Sequence, residues 1–320
     1  MPEPLPLVVG LGVVDPALVA DVLDGRCRFV ADPTDADLRE AQGAIARADA
    51  AVGVAFLDRA PRLRVVARTG VGVERIDLDA VTDRGIAVVV TPGTGSVAVA
   101  EGAIAMALHL VKRFGRLTQL VRSGHWADRG SVVVGDLAGS TLGVVGFGRI
   151  GQHTATLGAA LGMMVLAYDP VATPPEGMRC STLEELLSRS DVVTLHLPLT
   201  PETHHLLAAE ILALTRPGAI LVNCSRGSLL DNDAAYHALV AGRLDGIGPD
   251  VFDPEPPEHH PLFDHPDVVL TPHLMGLSAR ATAATFTAAA TGVVDVLEGR
   301  DPAAVANPRW RNAVAAVGAS

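Results

Sequence analysis

Lysine is almost absent from the chain. All of its 25 basic residues except Lys112 are arginines, they face 36 acids, and the formal net charge is −11. Nucleic-acid binding needs a Lys/Arg surplus to displace counterions, so this balance excludes nucleic acid as the expected partner. Aromatic residues make up only 3% of the chain. Cys27, Cys180 and Cys224 are the three cysteines, far apart and without paired spacing. That excludes a disulfide framework and a cysteine-built metal cluster, and a reduced, cytoplasmic setting is expected. No uninterrupted apolar run reaches the roughly 20 residues that span a bilayer, so no membrane partner is expected. The start, MPEPLPLVVGLGVV, has no basic leader and is broken by proline, and it does not read as a secretory signal.

What is present is the composition of a folded protein. Apolar residues make up 49% of the 320, and glycine and proline are scattered instead of forming low-complexity tracts. The length suits two domains. From about residue 140, short β-type runs alternate with helical segments. LGVVGFG (142–148), MMVLAYD (163–169), DVVTLHL (191–197), GAILVN (218–223), IGPDVF (247–252) and DVVLTP (267–272) read as buried strands. TLEELLSRSD (182–191) and DNDAAYHALVAGR (231–243) carry helical spacing between them. Such alternation predicts an α/β fold with a doubly wound parallel sheet. The first ninety residues repeat the pattern more weakly, with LPLVVGLGVV, RLRVVAR (62–68) and IAVVVT (86–91) as strands of a smaller α/β domain. One long helix over about 99–120 is predicted to join the two, and 279–297 is a second long helix.

Directly after LGVV stands Gly146-Phe147-Gly148-Arg149-Ile150-Gly151, a G-x-G-x-x-G opening a helix. Gly146 permits a tight turn, Gly148 lets backbone approach a pyrophosphate, and Gly151 lets the helix pack closely. The N–H groups of Arg149 and Ile150 at the helix start would face the phosphates. Asp169 ends the next strand, where an acid accepts hydrogen bonds from the adenosine ribose hydroxyls and repels a 2′-phosphate, so NAD is favoured over NADP. Asp169 is equally placed to serve as a turn residue before Pro170.

These motifs, in this order, resemble the D-isomer-specific 2-hydroxyacid dehydrogenase family from about Ala44 to residue 300. The most specific likenesses are VNCSRGSLLD (222–231), DVFDPEP (250–256) and TPHLMG (271–276). RTGVGVERIDL (68–78) and LHLPLTPETHHLL (195–207) add to them. The resemblance implies a Rossmann doubly wound dinucleotide-binding domain over 99–283, and a flavodoxin-like substrate-binding domain over 1–98 and 284–320. It implies that a small 2-keto acid and its D-2-hydroxy acid are interconverted with NAD, and that the chain forms a homodimer. Arg226, Glu255 and His273 take the family's catalytic places. A guanidinium binds and polarises a 2-keto acid, an imidazole exchanges a proton with the carbonyl oxygen near neutral pH, and a carboxylate orients that imidazole. No metal is required.

Asp250, Cys224, Ser225, Gly276 and Thr203 stand where the family contacts its cofactor. Arg47 and the N–H groups of Val71 and Gly72 stand where it contacts the substrate acid. Taken singly, Arg226 could cap a strand end, Glu255 could be a solvated acid and His273 a core histidine. Some features depart from the family pattern. Ala48 and Asp49 follow Arg47 where phosphoglycerate-specific members carry hydroxyl or basic residues, and the length counts the same way. Gly95 and Val97 replace common polar residues, and Pro249 precedes Asp250 where an aliphatic residue is usual. Phosphite or 3-phosphoglycerate oxidation and an NAD(H)-sensing corepressor-like binding protein are the alternatives on this scaffold. Formate oxidation is disfavoured, because those members carry glutamine where Glu255 stands. The run DVFDPEPPEHHPLFDHPDVVLTPH holds four histidines. His259, His260 and His265 sit among prolines without metal-ligand spacing and read as a surface loop.

Overall fold

The computed structural model describes residues 4–312. The chain divides into two compact units, Met1–Gly95 with Ala279–Ser320, and Ser96–Ser278. No helix among the described residues is long and apolar enough to cross a membrane.

Among the described residues the first unit holds five parallel strands, β1 (Leu7–Leu11), β2 (Arg28–Val30), β3 (Ala41–Ala46), β4 (Val65–Arg68) and β5 (Ala87–Val89), in the order β2-β1-β3-β4-β5. The second holds β6 (Thr141–Val145), β7 (Met164–Tyr168), β8 (Val192–Leu195), β9 (Ala219–Asn223) and β10 (Leu244–Pro249), in the order β10-β9-β8-β6-β7. Both sheets therefore follow the same doubly wound order, reversing direction beside their first strand. In such sheets, ligands bind at the carboxyl ends of the strands where the order reverses.

Side chains alternate across each sheet as the two-residue repeat demands. In the second unit Val145, Val193, Leu195 and Leu221 face one core with Leu186, Leu187 and Leu229. Leu142, Val144, Ile220 and Val222 face the other core with Ala103 and Ala107. Burial on both faces explains why these strands read as continuous apolar runs. Each fully enclosed leucine is worth about 2 kcal/mol.

The structure corrects the sequence reading in several places. The strands β2 and β3 are absent from it, because β2 is only three residues long and AQGAIA carries a single β-branched residue, Ile45, among small ones. Its small residues have a use: a side-chain carbon on Gly43 would lie 2.8 Å from Val293 Cγ1 of the Ala279–Leu297 helix, which packs there. The single helix expected over 99–120 is two, Ser96–Val111 and Phe114–Arg122. Arg113 breaks it in a left-handed conformation, φ 54°. Its guanidinium donates to the Asp245 carbonyl at 2.7 Å and to Asp267 Oδ1 at 3.1 Å, and it pairs with the Asp245 carboxylate.

The sixth expected strand, 267–272, makes only one bridge to β10, Val268 beside Ile247. Ile247 N donates to the Asp267 carbonyl and Val269 N to the Ile247 carbonyl, each at 3.0 Å. The next N–H in that ladder belongs to position 249, which is proline and has none. Pro249 thus removes one bond from the ladder, and the next, Thr271 N to the Pro249 carbonyl, is long at 3.3 Å.

Candidate functional site

The predicted site residues of the second unit collect at the carboxyl ends of its strands. The glycine turn leaves β6, and its three glycines meet three different surroundings. A side-chain carbon on Gly146 (φ 97°) would lie 2.6 Å from the His196 carbonyl carbon, at the end of β8. One on Gly151 would lie 2.0 Å from the Gly146 carbonyl oxygen and 3.1 Å from Val144 Cγ1. The closest approach at Gly151 is therefore to the turn itself, with the strand side chain behind it. Around Gly148 nothing lies within 4 Å, so this glycine opens on space. Gly148 is the N-cap of the Arg149–Ala160 helix and supplies no side chain to it, so Arg149 and Ile150 stand in an uncapped first turn. An open backbone approach beside a helix N-terminus fits a pyrophosphate.

Asp169, just past β7, fastens this turn. Its Oδ2 accepts from Phe147 N at 2.6 Å, and its Oδ1 accepts from Val171 N and Ala172 N at 2.8 and 2.7 Å. The turn role weighed for it is real, and with three acceptor positions used the carboxylate keeps one free. Behind the turn, His196 Nε2 lies 3.1 Å from Thr154 Oγ1, which in turn donates to the Ile150 carbonyl. Burial pushes the His196 imidazole down to about 4, so it is neutral.

The loop after β9 is closed by Asn223, a buried residue that the sequence reading did not single out. Asn223 Nδ2 donates to the Arg226 carbonyl at 2.9 Å, and its Oδ1 accepts from Ser225 N at 3.1 Å. A buried amide at the end of an apolar strand, two residues before a polar loop, was the available signal. Ser225 Oγ donates to the Leu197 carbonyl, which ties this loop to the one after β8. Arg226 Nη1 donates to the Ser225 carbonyl at 2.8 Å. Next to it, a side-chain carbon on Gly227 would lie 2.1 Å from the Phe252 carbonyl carbon and 2.6 Å from Asp253 N. Only glycine lets the Arg226 turn lie flat on the peptide that leads to Glu255. Ser228 Oγ donates to the Asp253 carboxylate across the same contact.

Asp250 is buried and organises the other side. Its Oδ1 accepts from Thr271 Oγ1 at 2.7 Å and Leu274 N at 3.0 Å, its Oδ2 accepts from Met275 N at 3.2 Å, and its carbonyl accepts from His273 N at 2.7 Å. Burial raises its carboxyl above the usual range, and these hydrogen bonds offset only part of that. They hold His273 at φ 56°, a conformation that a non-glycine residue keeps only when its surroundings enforce it. The imidazole then reaches Glu255, with Nδ1 3.0 and 2.9 Å from the two carboxylate oxygens. Glu255 Oε1 also accepts from Phe252 N at 3.0 Å. A carboxylate on Nδ1 fixes the proton there and leaves Nε2 for a substrate. The side chains of His273 and Glu255 are 47% and 40% exposed, so the pair is open to a ligand.

The remaining predicted residues fall as follows. Thr203 is buried, and its hydroxyl donates to the Pro198 carbonyl and accepts from Thr200 N, both at 2.7 Å, so it serves its own loop. Cys224 is buried 3.9 Å from Met106 Sδ, and burial pushes its thiol up to about 12. A side-chain carbon on Gly276 would lie 3.3 Å from Val99 Cγ2. In the first unit, Arg47 follows β3 and stacks over the Phe286 ring at 5.7 Å. Arg47 Cβ and Asp49 Oδ1 each lie 3.0 Å from the point a Gly12 side chain would fill, so the two flank one spot. Val71 is exposed and Gly72 half-buried, after β4. The three histidines of the proline-rich run pair locally: His259 with Asp264, His260 with Asp233, and His265 Nδ1 accepting from Asp267 N. Among the described residues no three potential metal ligands cluster.

Comparison with known proteins identifies the family. A family profile described as "D-isomer specific 2-hydroxyacid dehydrogenase, NAD binding domain" matches residues 104–275. A D-3-phosphoglycerate dehydrogenase of Mycobacterium bovis is 39% identical over 286 residues, covering 87% of this chain and 54% of its own length. One from Methanocaldococcus jannaschii is 37% identical, covering 82% of this chain and 51% of its own. This chain thus spans about half the length of the curated relatives it matches. Among solved structures, a D-lactate dehydrogenase from Aquifex aeolicus, complexed with NAD and lactic acid, is 30% identical. It has a TM-score of 0.79, with 92% of this chain and 96% of that one covered. A Thermus thermophilus protein is 37% identical with a TM-score of 0.84, covering 94% of this chain and all of that one. The chain belongs to the D-isomer-specific 2-hydroxyacid dehydrogenase family.

Proposed function

We propose that the protein is an NAD-dependent oxidoreductase that reduces a small 2-keto acid to the D-2-hydroxy acid and runs the reverse reaction. The observation that carries this reading is the open His273–Glu255 pair, held by Asp250 beside the flat Arg226–Gly227 turn. The second unit is the dinucleotide-binding domain in this reading. Gly146, Gly148, Gly151, Arg149 and Ile150 would hold the pyrophosphate, Asp169 the ribose, and Asp250, Cys224, Ser225 and Gly276 would border the nicotinamide. When bound, the reduced nicotinamide supplies a hydride.

The chain's own groups do the rest. Arg226 binds the 2-keto acid through its planar fork and draws charge toward the carbonyl oxygen. His273 Nε2 gives a proton to that oxygen, and Glu255 stabilises and orients the imidazolium that makes this possible. In the oxidation direction the imidazole takes the proton back. In the first unit, Arg47 and the N–H groups of Val71 and Gly72 are the proposed contacts for the acid group.

The names of the relatives favour a second substrate class, 3-phosphoglycerate. We rank it lower, because the Asp49 carboxylate lies by the base of the Arg47 side chain and would repel a phosphate dianion bound there. NADH consumption with glyoxylate, hydroxypyruvate, pyruvate and 3-phosphohydroxypyruvate tests both readings. Turnover is expected with an unphosphorylated acid. Turnover with the phosphorylated acid alone overturns the substrate class, and tight NADH binding without any turnover points to a sensor.

A homodimer belongs to the same proposal. The Phe114–Arg122 helix and the Trp126–Ser131 turn bury no residue and expose Phe114, Val121 and Trp126. Exposed large apolar side chains on elements that bury none of their own are the proposed association surface. Light scattering at twice the chain mass is expected, and a monomer at micromolar concentration contradicts it.

A further inference from the structure

The segment that delivers His273 is held differently from a sheet strand. It lies beside β10, yet Pro249 removes the N–H that would donate to the Val269 carbonyl, and the following bond, Thr271 N to the Pro249 carbonyl, is long at 3.3 Å. Its far end is fixed by Asp250. Its near end is fixed by Asp267, whose side chain is 9% exposed. Asp267 Oδ1 accepts from Arg116 Nε at 2.9 Å and from Arg113 Nη1 at 3.1 Å, and its Oδ2 pairs with Arg116 Nη2. Arg113 also holds the carbonyl and carboxylate of Asp245, the second residue of β10. One guanidinium therefore clamps the starts of β10 and of the segment together, and sets the register in which the segment runs on to His273.

We propose that Asp267, clamped by Arg113 and Arg116, is a positioning residue for the proton donor. It compensates for the one ladder bond that Pro249 cannot make. The proposal rests on the reading of His273 as that donor. A strand carried by a full ladder would need no such clamp, and this one needs it because its ladder lacks the donor at Pro249 and is long at the next bond. Small displacements of a reacting group cost rate steeply, of order hundredfold for about 1 Å. The clamp should therefore act on kcat, while NADH binding at the glycine turn is left alone.

The test compares four full-length proteins: wild type, Asp267→Asn, Pro249→Ala, and the double variant. Steady-state kinetics are measured with the best 2-keto acid, together with the NADH dissociation constant and the pH profile of kcat. Asp267→Asn is expected to lower kcat about tenfold or more, with NADH affinity within about twofold of wild type. Pro249→Ala restores the missing donor, and in the double variant it is expected to recover most of the loss.

An Asp267→Asn protein with wild-type kcat overturns the proposal. So does a loss that Pro249→Ala does not recover. If Asp267→Asn fails to fold, hydrogen exchange in the Pro249→Ala protein decides. The amide at position 249 and that of Thr271 should be protected, and a freely exchanging amide at 249 overturns the account. His273→Gln is measured in parallel. If it keeps wild-type kcat, the proton-donor reading has failed; if it abolishes kcat while Asp267→Asn does not lower it, the positioning proposal alone has failed.

Discussion

Replacing Gly227 with alanine is expected to separate the two halves of the site. The added carbon would sit 2.1 Å from the Phe252 carbonyl carbon, 2.4 Å from its oxygen and 2.6 Å from Asp253 N. Carbon atoms in contact prefer about 3.5–4.0 Å, so turn and peptide must part by about 1.5 Å. Neither side is a flexible side chain that can swing away. The turn is tied down by Asn223 Nδ2 on the Arg226 carbonyl at 2.9 Å and by His205 N on the Ser228 carbonyl at 2.7 Å. Relief therefore breaks one of these bonds or strains the backbone. Overpacking costs about 1–3 kcal/mol and a lost hydrogen bond adds about 1, so the total is about 2–4 kcal/mol. In a unit of this size that lowers the melting midpoint by roughly 5–15 °C. For catalysis the displacement of Arg226 from the Glu255 loop matters more, and kcat/KM should fall about hundredfold. NADH affinity, measured by fluorescence, should stay near wild type, because the glycine turn follows a different strand. A Gly227→Ala protein with wild-type kcat/KM and melting midpoint would refute the reasoning.

Further outcomes follow from the same geometry. Gly148→Ala is the converse case: its new carbon meets open space, so the melting midpoint should hold, while NADH affinity drops at least tenfold; unchanged affinity would remove Gly148 from the cofactor cradle. His196 is neutral in the fold at about 4 against an ordinary 6.5, so the unfolded chain binds the extra proton between these values. Stability from this group is complete above pH 6.5 and is lost as pH falls toward 4. The ceiling is roughly 3 kcal/mol, reduced because the residue keeps some exposure. Melting midpoints measured from pH 7 to 4 should show this limb, and His196→Leu should flatten it. Asp49→Ser should raise kcat/KM for 3-phosphohydroxypyruvate about tenfold while leaving that for glyoxylate or pyruvate within about threefold; no gain would clear Asp49 of a selective role.

Much of the second unit was legible because its signals are local. A glycine-rich turn after a buried strand, an acid ending the next strand, and apolar runs spaced by amphipathic segments are each set by neighbouring residues. The pairing of His273 with Glu255 came from family likeness, and the 2.9 Å contact now gives it a geometry. What escaped depends on partners distant in sequence. Apolar spacing runs straight through Lys112 and Arg113, and only the acids at Asp245 and Asp267 explain why the helix breaks there. The strand β3 is rich in small residues, and a helix from the far end of the chain packs on its Gly43. Residues 267–272 have the composition of a strand, but composition does not count donors, and the missing donor is on Pro249. The need for glycine at 227 is likewise set by a distant partner, the Phe252 peptide that lies against it.

The central claim is that His273, set by Asp250 and oriented by Glu255, exchanges the proton in hydride transfer to a 2-keto acid. Single-turnover reduction by His273→Ala, with NADH binding measured on the same protein, tests it most directly. The account predicts NADH affinity within about twofold of wild type and a rate lower by about hundredfold or more. A near wild-type rate in that protein would contradict it.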